Sequence, residues 1–137
     1  PGVPPGSGAF VDVRAAAKAH LAAAERGQSG ENYLLGGAEV SFLELVRTIG
    51  HQLGRSTPRR AIPAPVLRAL ARVSDSFSRI TGKEPDMTPE AVAFVCHQMH
   101  CDIGKAQREL DLTVTPIYHL VADTIAWLRE QNLVSQA

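Results

Sequence analysis

Phe10–Val13 alternates apolar and polar residues, the period of a half-buried strand. Asn32–Leu35, closed by Gly36-Gly37, predicts a second short strand, and Arg59–Ile62 a third. Elsewhere the period is helical. Arg14–Arg26 is rich in Ala and stops at Gly27. Ser41 and Glu44 form a capping box, and the helix they open carries Phe42, Leu45, Val46, Ile49 and Leu53 on one face before Gly54. Pro65 suits a first helical turn. Beyond it Val66, Leu70, Val73, Phe77 and Ile80 recur at steps of four and three, which predicts a buried stripe ending at Gly82. Thr88-Pro89-Glu90 starts another helix, Asp102 a short one through about Leu110, and Thr115-Pro116 the last. In that last helix Ile117, Leu120, Val121, Ile125 and Leu128 are expected to face inward. The order is β-α-β-α-β-α followed by helices: an α/β class, helix-rich, with a few short strands. A parallel sheet of these strands alone would leave exposed edges, so they read as the tail of a sheet whose other strands lie elsewhere. Residues 1–9, Pro- and Gly-rich, predict an N-terminal loop; residues 10–137 form one region.

Composition narrows the function class. Hydrophobic residues make up 45% of the chain and charged residues 20%, as in a soluble globular domain. Much of the apolar content is Ala, which buries little area. Fourteen Lys and Arg balance 14 Asp and Glu, so the basic excess of a nucleic-acid binder is missing. No apolar run reaches the roughly 18 residues that span a bilayer, and no leader pattern is visible. These features lead us to expect a cytoplasmic protein with neither nucleic acid nor membrane as partner. The chain begins at Pro1 rather than Met, which suggests processing or a longer parent. Two cysteines make no disulfide framework.

Four features bear on chemistry. Cys96-His97-Gln98-Met99-His100-Cys101 offers four zinc-type ligands in six residues. On a helix, Cys96 pairs with His100 and His97 with Cys101, so the four cannot converge on one ion; no metal site is expected, and Cys96 reads as a small buried hydrophobe. Arg55, Arg59, Arg60, Arg68, Arg72 and Arg79 could hold a phosphate or carboxylate, but they read first as a solvated face with Asp75 as a local partner. His20, His51, His97, His100 and His119 sit in no nucleophile context, and Ser41 and Ser74 lack the strained elbow of a hydrolase serine. Gly6-Ser7-Gly8 starts a glycine-rich pattern, but Val11 takes the third glycine position and no strand precedes it, so no dinucleotide loop is present.

Four stretches together resemble a known family. Phe10-Val11-Asp12-Val13-Arg14, followed by Ala17, Ala19, His20 and Leu21, is similar to a strand-to-helix segment "F-V-D-V-R-D-V-A-x-A-H". Gly30-Glu31-Asn32-Tyr33-Leu34-Leu35-Gly36-Gly37 resembles "G-E-x-Y-x-L-G-G", and Ser41–Leu45 the capped helix after it. Asp102–Leu110 is similar to "D-x-x-K-A-x-R-E-L-G", and Asp123–Leu128 to a closing helix. These belong to the C-terminal part of extended short-chain dehydrogenases/reductases, the NAD-dependent epimerase/dehydratase superfamily, nearest its dihydroflavonol-reductase-like branch. Ala15 stands where the family usually has Asp, and Asp111 where it usually has Gly.

The resemblance implies the substrate-side portion of a Rossmann-type enzyme that moves hydride between NAD or NADP and a carbonyl or hydroxyl carbon. The family's glycine-rich cofactor loop and its Tyr-x-x-x-Lys pair have no counterpart here: Tyr33 is followed four positions on by Gly37, and Tyr118 by Ala122. Neither catalytic nor cofactor-binding residues are therefore assigned, and the chain is expected to bind no cofactor and to be inactive alone. By the same resemblance Ser76–Pro89 belongs to a lobe closing over substrate, and Phe10, Phe77 and Met87 are candidates for an apolar substrate wall. The expected partners are a small-molecule substrate and either a missing N-terminal cofactor domain or a second copy. The rival reading is a stand-alone helical interaction or small-ligand-binding module.

Overall fold

The computed structural model describes residues 2–82 and 87–134, with only the backbone for 79–81. The centre of the expected lobe, residues 83–86, and the side chain of Ile80 lie outside the described residues. Along the chain run β1 (Ser7–Phe10), α1 (Val13–Arg26), β2 (Ala38–Ser41), α2 (Phe42–Gln52), α3 (Ala64–Thr81), α4 (Pro89–Val95), α5 (Gly104–Leu110) and α6 (Ile117–Glu130). The two strands pair antiparallel, Ser7 opposite Ser41 and Phe10 opposite Ala38, so the parallel arrangement expected from the element order is not formed.

The strand positions correct the expectation, each for a local reason. Asp12 ends the first strand early because its carboxylate accepts the Arg14 amide at 2.8 Å and starts α1. β1 therefore runs back into the glycine-rich loop. Residues 32–35 form no strand, and their backbone makes no hydrogen bond among the described residues. Residues 59–62 form none either: Ile62 donates once to the Val3 carbonyl at 2.8 Å, and Pro63 then leads into α3. Both ends of the segment are set by prolines, Pro58 and Pro63, which cannot donate to a ladder.

The helix starts follow the sequence more closely. Ser41 Oγ accepts from the Glu44 amide at 3.1 Å, and Thr88 Oγ1 from the Ala91 amide at 3.1 Å. Asp102 Oδ1 accepts from Gly104 at 2.9 Å at the mouth of α5. Thr115 departs from the pattern. No side chain caps α6.

Two small clusters make up the core. Ala15 and Ala19 of α1 meet Ala106 and Leu110 of α5, with Leu112. Alanines let these helices approach closely but bury little area each. Leu67 and Ala71 of α3 meet Val92 of α4, with Ile62, Met87 and Cys96 half-buried around them. This second cluster overturns the expected α3 stripe. The buried face of α3 is the Leu67/Ala71 face, while Val66, Leu70, Val73 and Phe77 are 48%, 53%, 69% and 65% exposed. The helix has two apolar faces, and α4 packs on the narrower one.

The N-terminal loop stitches these parts together. Gly6 donates to the Val95 carbonyl at 3.1 Å and accepts from Phe42 at 3.0 Å, and Ser7 donates to the His97 carbonyl at 3.0 Å. A Cβ on Gly6 would lie 2.3 Å from the Val95 oxygen and 2.5 Å from the His97 oxygen, so only glycine fits.

Candidate functional site

β1 delivers Phe10 and Val11 to a cleft between α2 and α6. The α2 stripe contributes Leu45, Ile49 and Leu53; α6 contributes Ile117, Leu120, Val121, Ile125 and Leu128. The cleft holds about 330 Å³, and among the described residues that line it Thr124 is the sole polar one. The α6 face expected to point inward does so, with Val121 and Ile125 buried, but it meets α2 only in part and leaves this space. Such a cleft can desolvate an apolar group; its described lining carries no acid or base.

A charged network borders it. Asp12 is buried, and Arg14 grips its carboxylate through Nε at 3.0 Å and Nη2 at 2.7 Å. The same Nη2 reaches Asp123 of α6. The Arg14 side chain, then its amide, hold the Asp12 pKa down at about 2, and both acids push Arg14 up. A second hollow, lined by Val11, Asp12, Val13, Arg14, Leu120, Asp123, Thr124 and Trp127, lies along this network. The bridge fixes α6 against the start of α1, and so sets one wall of the apolar cleft.

Two further polar groups are structural. Tyr33 donates to Glu109 at 2.7 Å and accepts from the Gln28 amide at 3.2 Å, while Lys105 lies 4.6 Å above its ring and pairs with Glu31. Glu31 is lowered and Lys105 raised by that pair. Glu39 receives the Cys101 amide at 2.6 Å and His100 Nδ1 at 3.0 Å, and both lower its pKa, the amide first.

The three candidate substrate-wall residues lie on different surfaces. Phe10 fronts the cleft. Met87 packs half-buried against Leu67, Ala71 and Val92, and Phe77 is on the outward face of α3. The Cys96–Cys101 segment is not one helix: α4 ends at Val95, Cys96 packs as a small hydrophobe, and the rest runs beside β1. Among the described residues no three His, Cys, Asp or Glu side chains are grouped to hold a metal. His20 bonds the Ala16 carbonyl, and His119 stands edge-on to Tyr118, so neither faces a nucleophile. The sequence reading missed the cleft as a whole, although both of its walls were visible as helical stripes. It also missed the Asp12–Arg14–Asp123 bridge. A capping Asp followed two residues later by Arg was the available signal for half of it.

No protein-family model matches the chain. Individual proteins do. It is 26% identical over 132 residues to sterol demethylase protein B of Methylococcus capsulatus, covering 95% of this chain and 40% of that one. It is 27% identical over 129 residues to a putative dihydroflavonol 4-reductase of Synechocystis, covering 91% and 38%. The crystal structure of gox2253 superposes with a TM-score of 0.78 at 32% identity, over 95% of this chain and 39% of that one. These similarities are consistent with the C-terminal part of an extended short-chain dehydrogenase/reductase. A nucleoside-diphosphate-sugar epimerase from Pseudomonas aeruginosa, PA4631, shares the fold with a TM-score of 0.73 at 24% identity. The chain spans about 40% of the length of the relatives it matches. The helix-rich fold, with two short strands and six helices among the described residues, matches the C-terminal portions of these structures. No helix among the described residues is long and apolar enough to cross a membrane.

Proposed function

We propose that the chain supplies the substrate-side part of an NAD(P)-dependent reductase or epimerase acting in the cytoplasm on a carbonyl or hydroxyl carbon. The observation that supports this reading is similarity along nearly the whole chain to about 40% of a reductase-named and an epimerase-named protein. The family's cofactor loop and Tyr-x-x-x-Lys pair are absent from these 137 residues. In the whole enzyme the nicotinamide supplies the hydride. The role of this chain is to hold the apolar part of the substrate and exclude water, with Phe10 at the mouth of the α2/α6 cleft as its leading contact. Met87 and Phe77 stand further out, on the α3–α4 unit.

Titrating the 137-residue chain with NADH and NADPH tests the claim of inactivity: no saturable binding and no oxidation are expected. Tight binding would overturn it. Replacing the matching part of the gox2253 protein with this chain tests the substrate role. An active chimera whose KM rises on Phe10→Ala, with kcat held, supports it. An active chimera indifferent to Phe10 removes Phe10 from the substrate wall.

A further inference from the structure

α6 stands apart from the packing that holds the other helices. Val121 and Ile125 are buried, yet neither belongs to the α1/α5 cluster or the α3/α4 cluster. Leu45 and Ile49 of α2 and Ile117, Leu120 and Leu128 of α6 are only half-buried, and they line a common space of about 330 Å³. Packed helices interdigitate and leave few voids larger than a water molecule. Two apolar stripes that face each other without closing therefore need something to keep them apart.

Two polar ties fix where α6 lies. In its first turn the Tyr118 carbonyl accepts from Gln52 Nε2 of α2 at 2.8 Å. Further along, Asp123 accepts from Arg14 Nη2. This second tie crosses the hollow between the start of α1 and α6, which shares Val11, Leu120 and Thr124 with the cleft. Arg14 is a stiff arm across that gap. Its Nε and Nη2 reach the Asp12 carboxylate at 3.0 and 2.7 Å, a bidentate grip that fixes the guanidinium plane. Asp12 is itself buried and accepts the Arg14 amide at 2.8 Å, so the arm is anchored in the fold. The Arg14 and Asp123 side chains are 64% and 54% exposed, and an ion pair at that exposure contributes little stability. The bridge is better placed to fix geometry than to hold the fold together.

We propose that Arg14 is a positioning residue: with Asp123 it forms a strut that holds α6 off α2 and keeps the cleft open. The proposal rests on the reading of the cleft as a substrate site. With the strut in place the cleft is preformed, and an apolar group enters without prising two helices apart. Without it α6 settles onto α2 and buries Leu45, Ile49, Leu120 and Leu128 against one another. Substrate must then reopen the cleft, which weakens binding and leaves the hydride step alone. The closure offsets the lost ion pair, so an open cleft is maintained at some expense of stability.

The test removes Asp123, because Arg14→Ala would also strip the buried Asp12 carboxylate of its guanidinium. Asp123→Ala leaves the Asp12–Arg14 grip intact. In the chimera with the gox2253 protein, Asp123→Ala should raise KM about tenfold with kcat held, and Asp123→Glu should restore it. In the 137-residue chain, Asp123→Ala should keep the parent's urea midpoint. Nuclear Overhauser contacts between the methyl groups of Leu45 or Ile49 and those of Leu120 or Leu128 should strengthen in the same variant. A bridge that served stability alone would lower the midpoint and move neither KM nor those contacts, and that result overturns the proposal. Unchanged methyl contacts overturn it even where the chimera is inactive. A KM that responds to Phe10→Ala but not to Asp123→Ala overturns the strut and keeps the substrate reading. Indifference to both variants overturns the substrate reading and the strut with it.

Discussion

Gly37 sits where the chain turns into β2, and its backbone presses against the end of β1. A Cβ there would lie 2.0 Å from the Phe10 oxygen, 2.7 Å from its carbonyl carbon and 2.8 Å from the Val11 Cα. Ordinary contact begins at 3.4 Å, so Gly37→Ala forces a separation of more than an ångström between two backbones rather than a side-chain adjustment. The Phe10–Ala38 pair is the part of the ladder that must yield. Losing about one hydrogen bond costs ~1 kcal/mol. Overpacking that cannot relax adds ~1–3 kcal/mol. The expected loss is about 2–4 kcal/mol, a fall of about 1–2 M in the urea midpoint for a chain of this size. The sign makes the test sharp. Gly37 has no positive φ, so without the clash alanine would stabilise by ~0.4–1 kcal/mol through the unfolded chain. Gly54→Ala is the control: φ is +64° with open space around it, so backbone strain alone should cost ~1 kcal/mol. Urea unfolding followed by circular dichroism measures both. A Gly37→Ala variant as stable as the parent would refute the close approach of β1 and β2, and with it the delivery of Phe10 to the cleft.

Three further outcomes are expected. Asp12→Ala removes the α1 cap and costs ~1 kcal/mol in urea unfolding. Because the folded Asp12 pKa is lowered from 3.8 to about 2, its contribution is complete above the unfolded value and is lost as pH falls from about 4 to about 2, so an acid titration of the variant should lack that share of the parent's loss. Asp111 stands at φ 53° and closes α5 in the left-handed region; Asp111→Val should be at least ~1 kcal/mol less stable than Asp111→Gly, a comparison in which both variants have lost the Arg26 pair. Tyr33→Phe deletes the hydroxyl that joins Gln28 to Glu109 and should lower stability by ~1 kcal/mol, with the midpoint shift read in the same assay.

The helices were legible because their signals are local. A capping hydroxyl, a proline in the first turn and a closing glycine act within a few residues, and Ser41, Thr88 and Gly82 act as read. The strands were not, because a strand exists only with a partner. Asn32–Leu35 has strand-like residues and no ladder, while Ala38–Ser41, where no strand was expected, pairs with β1. Periodicity also located the α3 stripe but could not say which side faces the protein. Leu67 and Ala71 make a weaker pattern than four large apolar residues, yet α4 packs on them. The cleft was half-readable in the same sense: each wall was visible, and their separation was not. Asp111 stands where the resembled family usually has glycine, and the backbone adopts the left-handed conformation there all the same.

The division of the core into two clusters sets how the molecule opens. α1 with α5 and α3 with α4 are separate packing units, joined through the N-terminal loop by Ile62 to Val3, Gly6 to Val95 and Ser7 to His97. Residues 3–7 therefore act as a latch. With the latch closed, amide hydrogens of α3 exchange with solvent through brief local openings of one small cluster. With it removed, α3 and α4 should exchange as a unit well before α1 and α5 do. A cut before Ser7 would leave all of β1 paired with β2 and keep the Ser7–His97 bond, while removing the Val3–Ile62, Gly6–Val95 and Gly6–Phe42 bonds.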